Sequence, residues 1–361
     1  MHTGFLFGAG FSKGLHEEML LTTQLLNRME SQKVVPQYVP DSIRNDLEQL
    51  LSYLWTNYPW FSDIEYLQNR SNYISLTQKI HELLVDAEVK SWEGLTKDYN
   101  EFSDYHPAYL QNAVKNIGWQ ADFAGILAND TRFVTVTMNY DTLLERLMIA
   151  KTNRTLIYYA PLQPLERIWE QEDPFYYKQS PSDIAMNGYN GYIHPRLFKL
   201  HGSLSWYSLD PIDVSSVIYG VSMNRYYAGS KQQLPHTVYD GTLSSVIVPP
   251  VSDKSSLYSN KVLRAQWIGA YNALSECDEL YCVGYSFPKT DLSMQLFLTQ
   301  ATTNLHKVYI VNPSFDNDLP QRLKTIFPKG VKFEHIGGQE CVQEMAKDII
   351  GRYGEKTQTE M

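Results

Sequence analysis

Apolar positions along the chain follow two different periods. Short runs of consecutive apolar and β-branched residues occur at Thr3 to Phe7, Phe133 to Met138, Leu197 to Leu200, Glu279 to Val283, Val308 to Val311 and Val331 to His335. These predict strands, the near-continuous ones being covered on both faces. Between and after them, apolar residues recur three and four apart at Leu143, Leu144 and Leu147, and across Lys254 to Leu274, Asp291 to Gln300, Leu323 to Phe327 and Gln339 to Ile350, which predicts helices. Alternation of strand and helix over the last third of the chain predicts an α/β fold. Its core is a doubly wound, Rossmann-like, mostly parallel sheet.

Two stretches break that alternation. Residues 28–128 read as a helical insert: Asp41 opens a helical pattern with a capping residue, and Ile74 to Val89 keeps apolar residues three and four apart. The two acids of Asp63-Ile-Glu65 read as solvated partners of a helix start. Residues 157–243 are rich in tyrosine, glycine and proline without a clear period and read as a loop-rich small lobe. Ser244 to Val248 reads as a strand stopped by Pro249 and Pro250, residues 244–351 are then the second half of the sheet, and 1–361 form a single domain around it. The tail after Gly354 is polar and expected to fray.

The strand from Phe133 runs into Asn139-Tyr-Asp141 before a helix begins, so these polar residues are expected at the carboxyl end of a strand, where open α/β sheets bind ligands. His201 follows the next strand and points to the same crevice, whereas His194 reads as a loop residue. At the amino terminus the first strand turns into Gly8-Ala-Gly-Phe-Ser-Lys-Gly14. Such a loop lets backbone N–H groups approach a phosphate, helped by the positive end of a helix through Leu20, Leu21, Leu25 and Leu26. It equally serves a plain strand-to-helix turn, because the spacing is not Gly-x-Gly-x-x-Gly. Two further polar corners, Gly284-Tyr-Ser-Phe-Pro-Lys-Thr-Asp291 and Val311-Asn-Pro-Ser314, fall at strand ends.

Composition narrows the function classes. The 361 residues are 43% hydrophobic and 20% charged, an ordinary globular balance. A net charge of −9 leaves no basic footprint for direct nucleic-acid binding. No apolar run is long enough to span a membrane and no signal-peptide pattern opens the chain, so a cytoplasmic location is expected. Cys277, Cys282 and Cys341 form no Cys-x-x-Cys pair, so neither disulfides nor zinc are expected.

Taken in order, Gly8-Ala-Gly-Phe-Ser12, Thr137-Met-Asn-Tyr-Asp141, Lys199-Leu-His-Gly-Ser203, Gly284-Tyr-Ser286 and Val311-Asn-Pro313 resemble the motifs of the sirtuin family. More narrowly the chain resembles the sirtuin-like NAD hydrolases of bacterial antiphage defence. The resemblance implies NAD as substrate. It implies that Gly8, Ala9, Gly10, Phe11 and Ser12 form the diphosphate loop, that Gly284, Tyr285 and Ser286 line the adenosine side, and that Asn312 holds the adenine ribose. It implies that Asn139 orients the attacking group, Asp141 helps place the nicotinamide end, and His201 serves as base. Deacylases of the family carry a zinc ribbon and a Gly-Ile-Pro-Asp-Phe-Arg segment. Here Gly14-Leu-His-Glu-Glu-Met-Leu20 follows the loop and no ribbon is present.

About fifty residues follow Asn312, fewer than the hundred or so that a further sensing domain needs. Within the family the nearest resemblance is to the subunit paired with a HerA-type hexameric ATPase, and a homo-oligomer built through the helical insert is expected. Two other readings use the same corners: a non-catalytic module that binds NAD or ADP-ribose, and a protein lysine deacylase. A dehydrogenase is disfavoured, because the acid expected about twenty residues after the glycine loop is absent; Glu30 lies near that spacing but in a helical stretch.

Overall fold

The apolar runs at both ends of the chain pair with one another. The computed structural model describes residues 2–96, 117–152, 155–156, 163–164, 192–193, 195–209, 216–220, 244–248, 260–289, 291–314 and 317–354. The first part holds β1 (Thr3–Phe7), α1 (Ala9–Leu15), α2 (Thr22–Ser31), α3 (Asp41–Arg44), α4 (Leu47–Trp55), α5 (Asp63–Leu95), α6 (Trp119–Asn129), β2 (Phe133–Thr137) and α7 (Leu143–Thr152). Short strands follow: β3 (Thr155–Leu156), β4 (Gln163–Pro164), β5 (Tyr192–Ile193), β6 (Leu197–Lys199), β7 (Gly202–Ser208), β8 (Tyr219–Gly220) and β9 (Ser244–Ile247). The last part holds α8 (Lys261–Leu274), β10 (Glu279–Val283), α9 (Leu292–Ala301), β11 (Lys307–Val311), α10 (Leu319–Ile326), β12 (Lys332–Ile336) and α11 (Cys341–Tyr353).

Six strands form one parallel sheet in the order β12-β11-β10-β1-β2-β6. Counting only these six along the chain, the order is 3-2-1-4-5-6 reversed, the doubly wound arrangement of a Rossmann-like fold. Side chains alternate between two apolar layers, as the two-residue period of a strand requires. Phe5, Phe7, Phe133, Tyr281 and Tyr309 enter one, where α1, α6, α7 and α11 pack. Leu6, Val134, Val136, Leu280, Cys282 and Ile310 enter the other, against α8, α9 and α10. Burying each such side chain contributes about 1.5–3 kcal/mol.

Several boundaries differ from the sequence reading. Ser244–Ile247 does not join the main sheet but pairs antiparallel with β7 in a four-stranded sheet, so the second half of the main sheet starts with α8 and β10. The short β6 ends at Lys199, and β7 turns away from the main sheet, leaving its own edge for the returning chain. Helix α6, read as the end of the insert, packs on α7 and α11 and is buried nearly all round, as a helix flanking a sheet must be. The pattern opened by Asp41 splits at Asp46, whose carboxylate accepts the Gln49 N–H at 2.8 Å and caps a new helix. Leu20 and Leu21 lie between α1 and α2 rather than inside a helix.

The insert is built on α5, 33 residues long and so about 50 Å. Its start is a capping box in which the Ser62 hydroxyl accepts the Glu65 N–H and Glu65 accepts from Ser62 N–H, so the helix start expected at these acids is there and Glu65 caps it. Leu76, Ile80 and Leu84 of α5 join Leu47, Leu50 and Leu54 of α4 in the core. Most of the loop-rich lobe, together with His194, the start of the helix expected from Lys254 and the polar tail after Gly354, lies outside the described residues.

Candidate active site

Strands β1 and β10 are neighbours at the point where the strand order reverses, the place where doubly wound sheets bind ligands beyond their carboxyl ends. Gly8 follows β1 and Gly284 follows β10. Gly284 has φ +63°, and a Cβ on it would sit 2.1 Å from the Phe11 nitrogen; one on Gly8 would sit 2.6 Å from the Gly284 oxygen. Glycine alone allows this backbone-to-backbone packing. Gly8 N–H donates to Val283 O and Gly10 N–H to Gly284 O, which ties the loop to the β10 corner, and Phe11 N–H donates to Gly8 O within the loop, so none of the three amides faces outward. The Phe11 ring stacks on Phe7 at 3.7 Å in the core and does not line the crevice.

The β2 corner meets this loop through side chains. Asn139 Nδ2 donates to Gly8 O at 2.9 Å and to Ser12 Oγ at 2.8 Å, and the Ser12 hydroxyl donates to Asp141 Oδ2 at 2.7 Å. Gly8 O can only accept, which fixes the amide orientation. Both Nδ2 hydrogens are then engaged, and Oδ1 is the atom Asn139 can offer to a ligand or a water. Asp141 Oδ1 accepts the Leu143 N–H at 3.2 Å. Burial, reinforced by the Glu88 charge, pushes the Asp141 carboxyl up to about 6, against the opposing pull of Lys199 and of the Ser12 hydroxyl.

Under this corner lies a buried set of ion pairs. Lys199, fully buried on β6, donates to Asp141 O at 2.6 Å and to Glu145 Oε1 at 2.7 Å. Arg146 pairs with Glu88 of the insert at 2.8 Å. A buried charge survives only when paired and hydrogen-bonded, and each of these is.

His201 sits where β6 passes into β7, its ring 6.4 Å from Tyr140 and 6.4 Å from Trp267. Its backbone is held on both sides: Trp267 Nε1–H donates to Leu200 O at 3.1 Å, and Val248 N–H donates to His201 O at 2.7 Å. Tyr140 O–H donates to Val248 O at 2.7 Å, so the Tyr140 ring is fixed beside the imidazole.

One cavity of about 350 Å³ gathers these corners. Gly8, Ala9, Ser12, Asn139, Tyr140, Asp141, His201, Gly284, Tyr285 and Ser286 all line it. Of the residues expected at the site, Gly10, Phe11 and Asn312 stand back from it. Gly10 packs on Gly284, and Asn312 Nδ2 donates to Tyr285 O at 2.9 Å, so Asn312 shapes the β10 corner from behind. The sequence reading missed the opposite wall, which the helical segments supply through Met19, Leu20, Leu25, Leu26, Leu47, Ile80 and Leu84, with Asp46 and Glu48 at their edge. Lys199, a cation inside an apolar strand, was the signal for the ion pairs below; Glu88, four residues after Leu84 on the same face, was a weaker one. Among the described residues no group of His, Cys, Asp and Glu is arranged to hold a metal ion, and no helix is long and apolar enough to cross a membrane.

No protein-family profile and no curated protein sequence matches the chain. Solved structures of Sir2 enzymes are similar at a distance. One, from work on the mechanism and regulation of Sir2 enzymes, shares 13% identity over 98% of this chain and 93% of that chain, with a TM-score of 0.39. Another, a Sir2 mutant with a p53 peptide and NAD, shares 10% identity over 98% of this chain and 93% of that chain, with a TM-score of 0.36. The strand order itself makes the fold Rossmann-like.

Proposed function

We propose that this protein is an NAD hydrolase that cleaves the bond between nicotinamide and ribose with water as acceptor. The supporting observation is the convergence of four sequence-distant corners, Gly8 to Ser12, Asn139 to Asp141, His201 and Gly284 to Ser286, on one cavity at the reversal point of the sheet. In the reaction the bond from ribose C1′ to the pyridinium nitrogen breaks and its electron pair leaves with neutral nicotinamide, so no strong acid is required. Water adds to C1′ and gives up a proton. His201 is the base for that proton, since imidazole works near neutral pH. Asn139 Oδ1, the free end of an amide fixed at Gly8 and Ser12, orients the water.

The charge of the lining fits one end of the substrate in particular. Among the described residues around the cavity, Asp46, Glu48, Asp141 and Asp291 are acids, whereas lysine and arginine are not represented. Such a wall favours a pyridinium and the developing oxocarbenium ion. With Gly8 and Gly10 amides engaged elsewhere, the diphosphate lies along the loop at Ala9.

In the same reading the reaction serves antiphage defence by depleting NAD, the protein works as a homo-oligomer, and a HerA-type hexameric ATPase is its partner. The test is nicotinamide release from NAD by the purified protein, alone and with candidate ATPase or DNA. Release of nicotinamide with equimolar ADP-ribose supports the hydrolase. Binding of NAD without release makes the protein a binding module. Peptide deacetylation that consumes NAD stoichiometrically, or one tightly bound zinc per chain, makes it a deacylase.

A further inference from the structure

The corner that carries Asp141 is gripped from below by a side chain of the helical insert. Glu88 on α5 is fully buried. Its Oε2 accepts the Thr142 N–H at 3.0 Å, and its Oε1 accepts the Thr142 hydroxyl at 2.5 Å and Arg146 Nε–H at 2.8 Å. Thr142 follows Asp141 directly and Arg146 lies one turn later, so one carboxylate holds the first turn of α7 through three donors. N–H groups at a helix start lack intrahelical acceptors and favour a negative partner, which explains the orientation. Packing alone does not explain the residue type. Leu84, one turn earlier on the same face, fills its place with an apolar side chain, whereas a buried carboxylate is strongly disfavoured unless it has such partners. Glu88 does not line the cavity, so it touches no substrate.

We propose that Glu88 is a positioning residue of the site: by holding Thr142 and Arg146 it fixes the backbone that presents Asp141 to Ser12 and Asn139. The inference deepens the hydrolase reading and rests on it. The insert is thereby part of the reacting end and more than a wall. From the other side Lys199 of β6 holds Asp141 O, with Glu145 of α7 as its partner, so the corner is clamped between two elements that the insert and the sheet contribute separately. Displacement of α5 from α7 releases one clamp and lowers turnover, while the loops at Gly8 and Gly284 keep their own contacts.

The experiment compares the full chain with Glu88→Gln, which keeps shape and an acceptor but removes the charge, and with Thr142→Val, which removes only the hydroxyl. In Glu88→Gln, kcat for NAD cleavage is expected to fall about ten- to a hundredfold, the scale of a misplaced reacting group. KM is expected to stay within about twofold. The Asp141 carboxyl, followed by carbon-13 NMR, is expected to titrate at lower pH, since a like charge has gone while Lys199 and Arg146 remain. Thr142→Val is expected to lose kcat in the same direction but less. A folded Glu88→Gln with wild-type kcat, or with an unmoved Asp141 titration, overturns the proposal. If Glu88→Gln does not fold, wild-type kcat in Thr142→Val overturns it. If the wild-type protein releases no nicotinamide, the hydrolase reading fails, and the titration of Asp141 with and without the Glu88 charge still decides whether the two are coupled.

Discussion

The Ser12 hydroxyl donates to Asp141 Oδ2 at 2.7 Å across 129 residues of sequence, and it accepts from Asn139 at 2.8 Å at the same time. One hydroxyl therefore joins the glycine loop after β1 to both acidic and amide groups of the β2 corner. Its polarity depends on Asp141 being ionised, because a protonated carboxyl would donate back toward it.

That dependence gives a pH prediction. Burial and the Glu88 charge raise the Asp141 carboxyl to about 6 from the 3.8 of an ordinary aspartate. A carboxyl raised on folding binds its proton more tightly in the native state, so its contribution to stability falls as pH rises from about 4 to 6 and is flat above. Asp141→Asn removes this term. Its stability relative to wild type is expected to be more favourable at about pH 7.5 than at about pH 4, by up to about 3 kcal/mol, in urea unfolding at the two pH values. Wild-type kcat is expected to fall as pH drops through about 6; a flat acid limb there would detach Asp141 ionisation from the reaction.

His201→Ala and Asn139→Ala are each expected to reduce NAD cleavage by about a hundredfold or more. They differ in stability. Asn139 ties Gly8 and Ser12 together, so its loss is expected to cost about 1–3 kcal/mol, whereas the fold should tolerate the loss of the His201 ring better. Nicotinamide release and thermal unfolding on the same preparations separate the two effects. Unchanged turnover in folded Asn139→Ala removes the mechanism.

Gly284→Ala places a Cβ 2.1 Å from the Phe11 nitrogen at φ +63°. Backbone at that position has to move. Left-handed strain alone costs about 1–2 kcal/mol, and the steric overlap adds to it. Lower stability together with weaker NAD binding by calorimetry is the expected outcome, since the two glycine loops then separate. Wild-type affinity in Gly284→Ala would show that this close approach does not shape the nucleotide site.

Lys199→Met removes the cation paired with the buried Glu145 carboxylate and the donor to Asp141 O. Breaking such a pair typically costs about 3–5 kcal/mol. Adding Glu145→Leu is expected to recover most of the stability but not the activity, because the Asp141 backbone still lacks its donor. Recovery of both in the double variant would make the pair purely structural.

Local pattern was enough to identify the six main-sheet strands, the polar corner Asn139 to Asp141, the glycine loop and the helix start at Asp63 and Glu65. In each case the information lies within a few neighbouring residues, as an apolar run, a helix-start signal or a glycine-rich turn. The sequence also placed Gly8, Asn139, His201 and Gly284 at strand ends, which in a parallel sheet already assigns them to one edge. Pairing partners lay beyond its reach. Ser244–Ile247 reads like any buried strand, and only the free edge of β7 decided which sheet it joined. The same holds for the Phe11 ring, the engaged amides of Gly8 and Gly10, the insert's wall of the cavity and the grip of Glu88 on Thr142. These are contacts between segments up to hundreds of residues apart. They are set by which surfaces the chain brings together, and a residue's own neighbours in sequence carry little information about that.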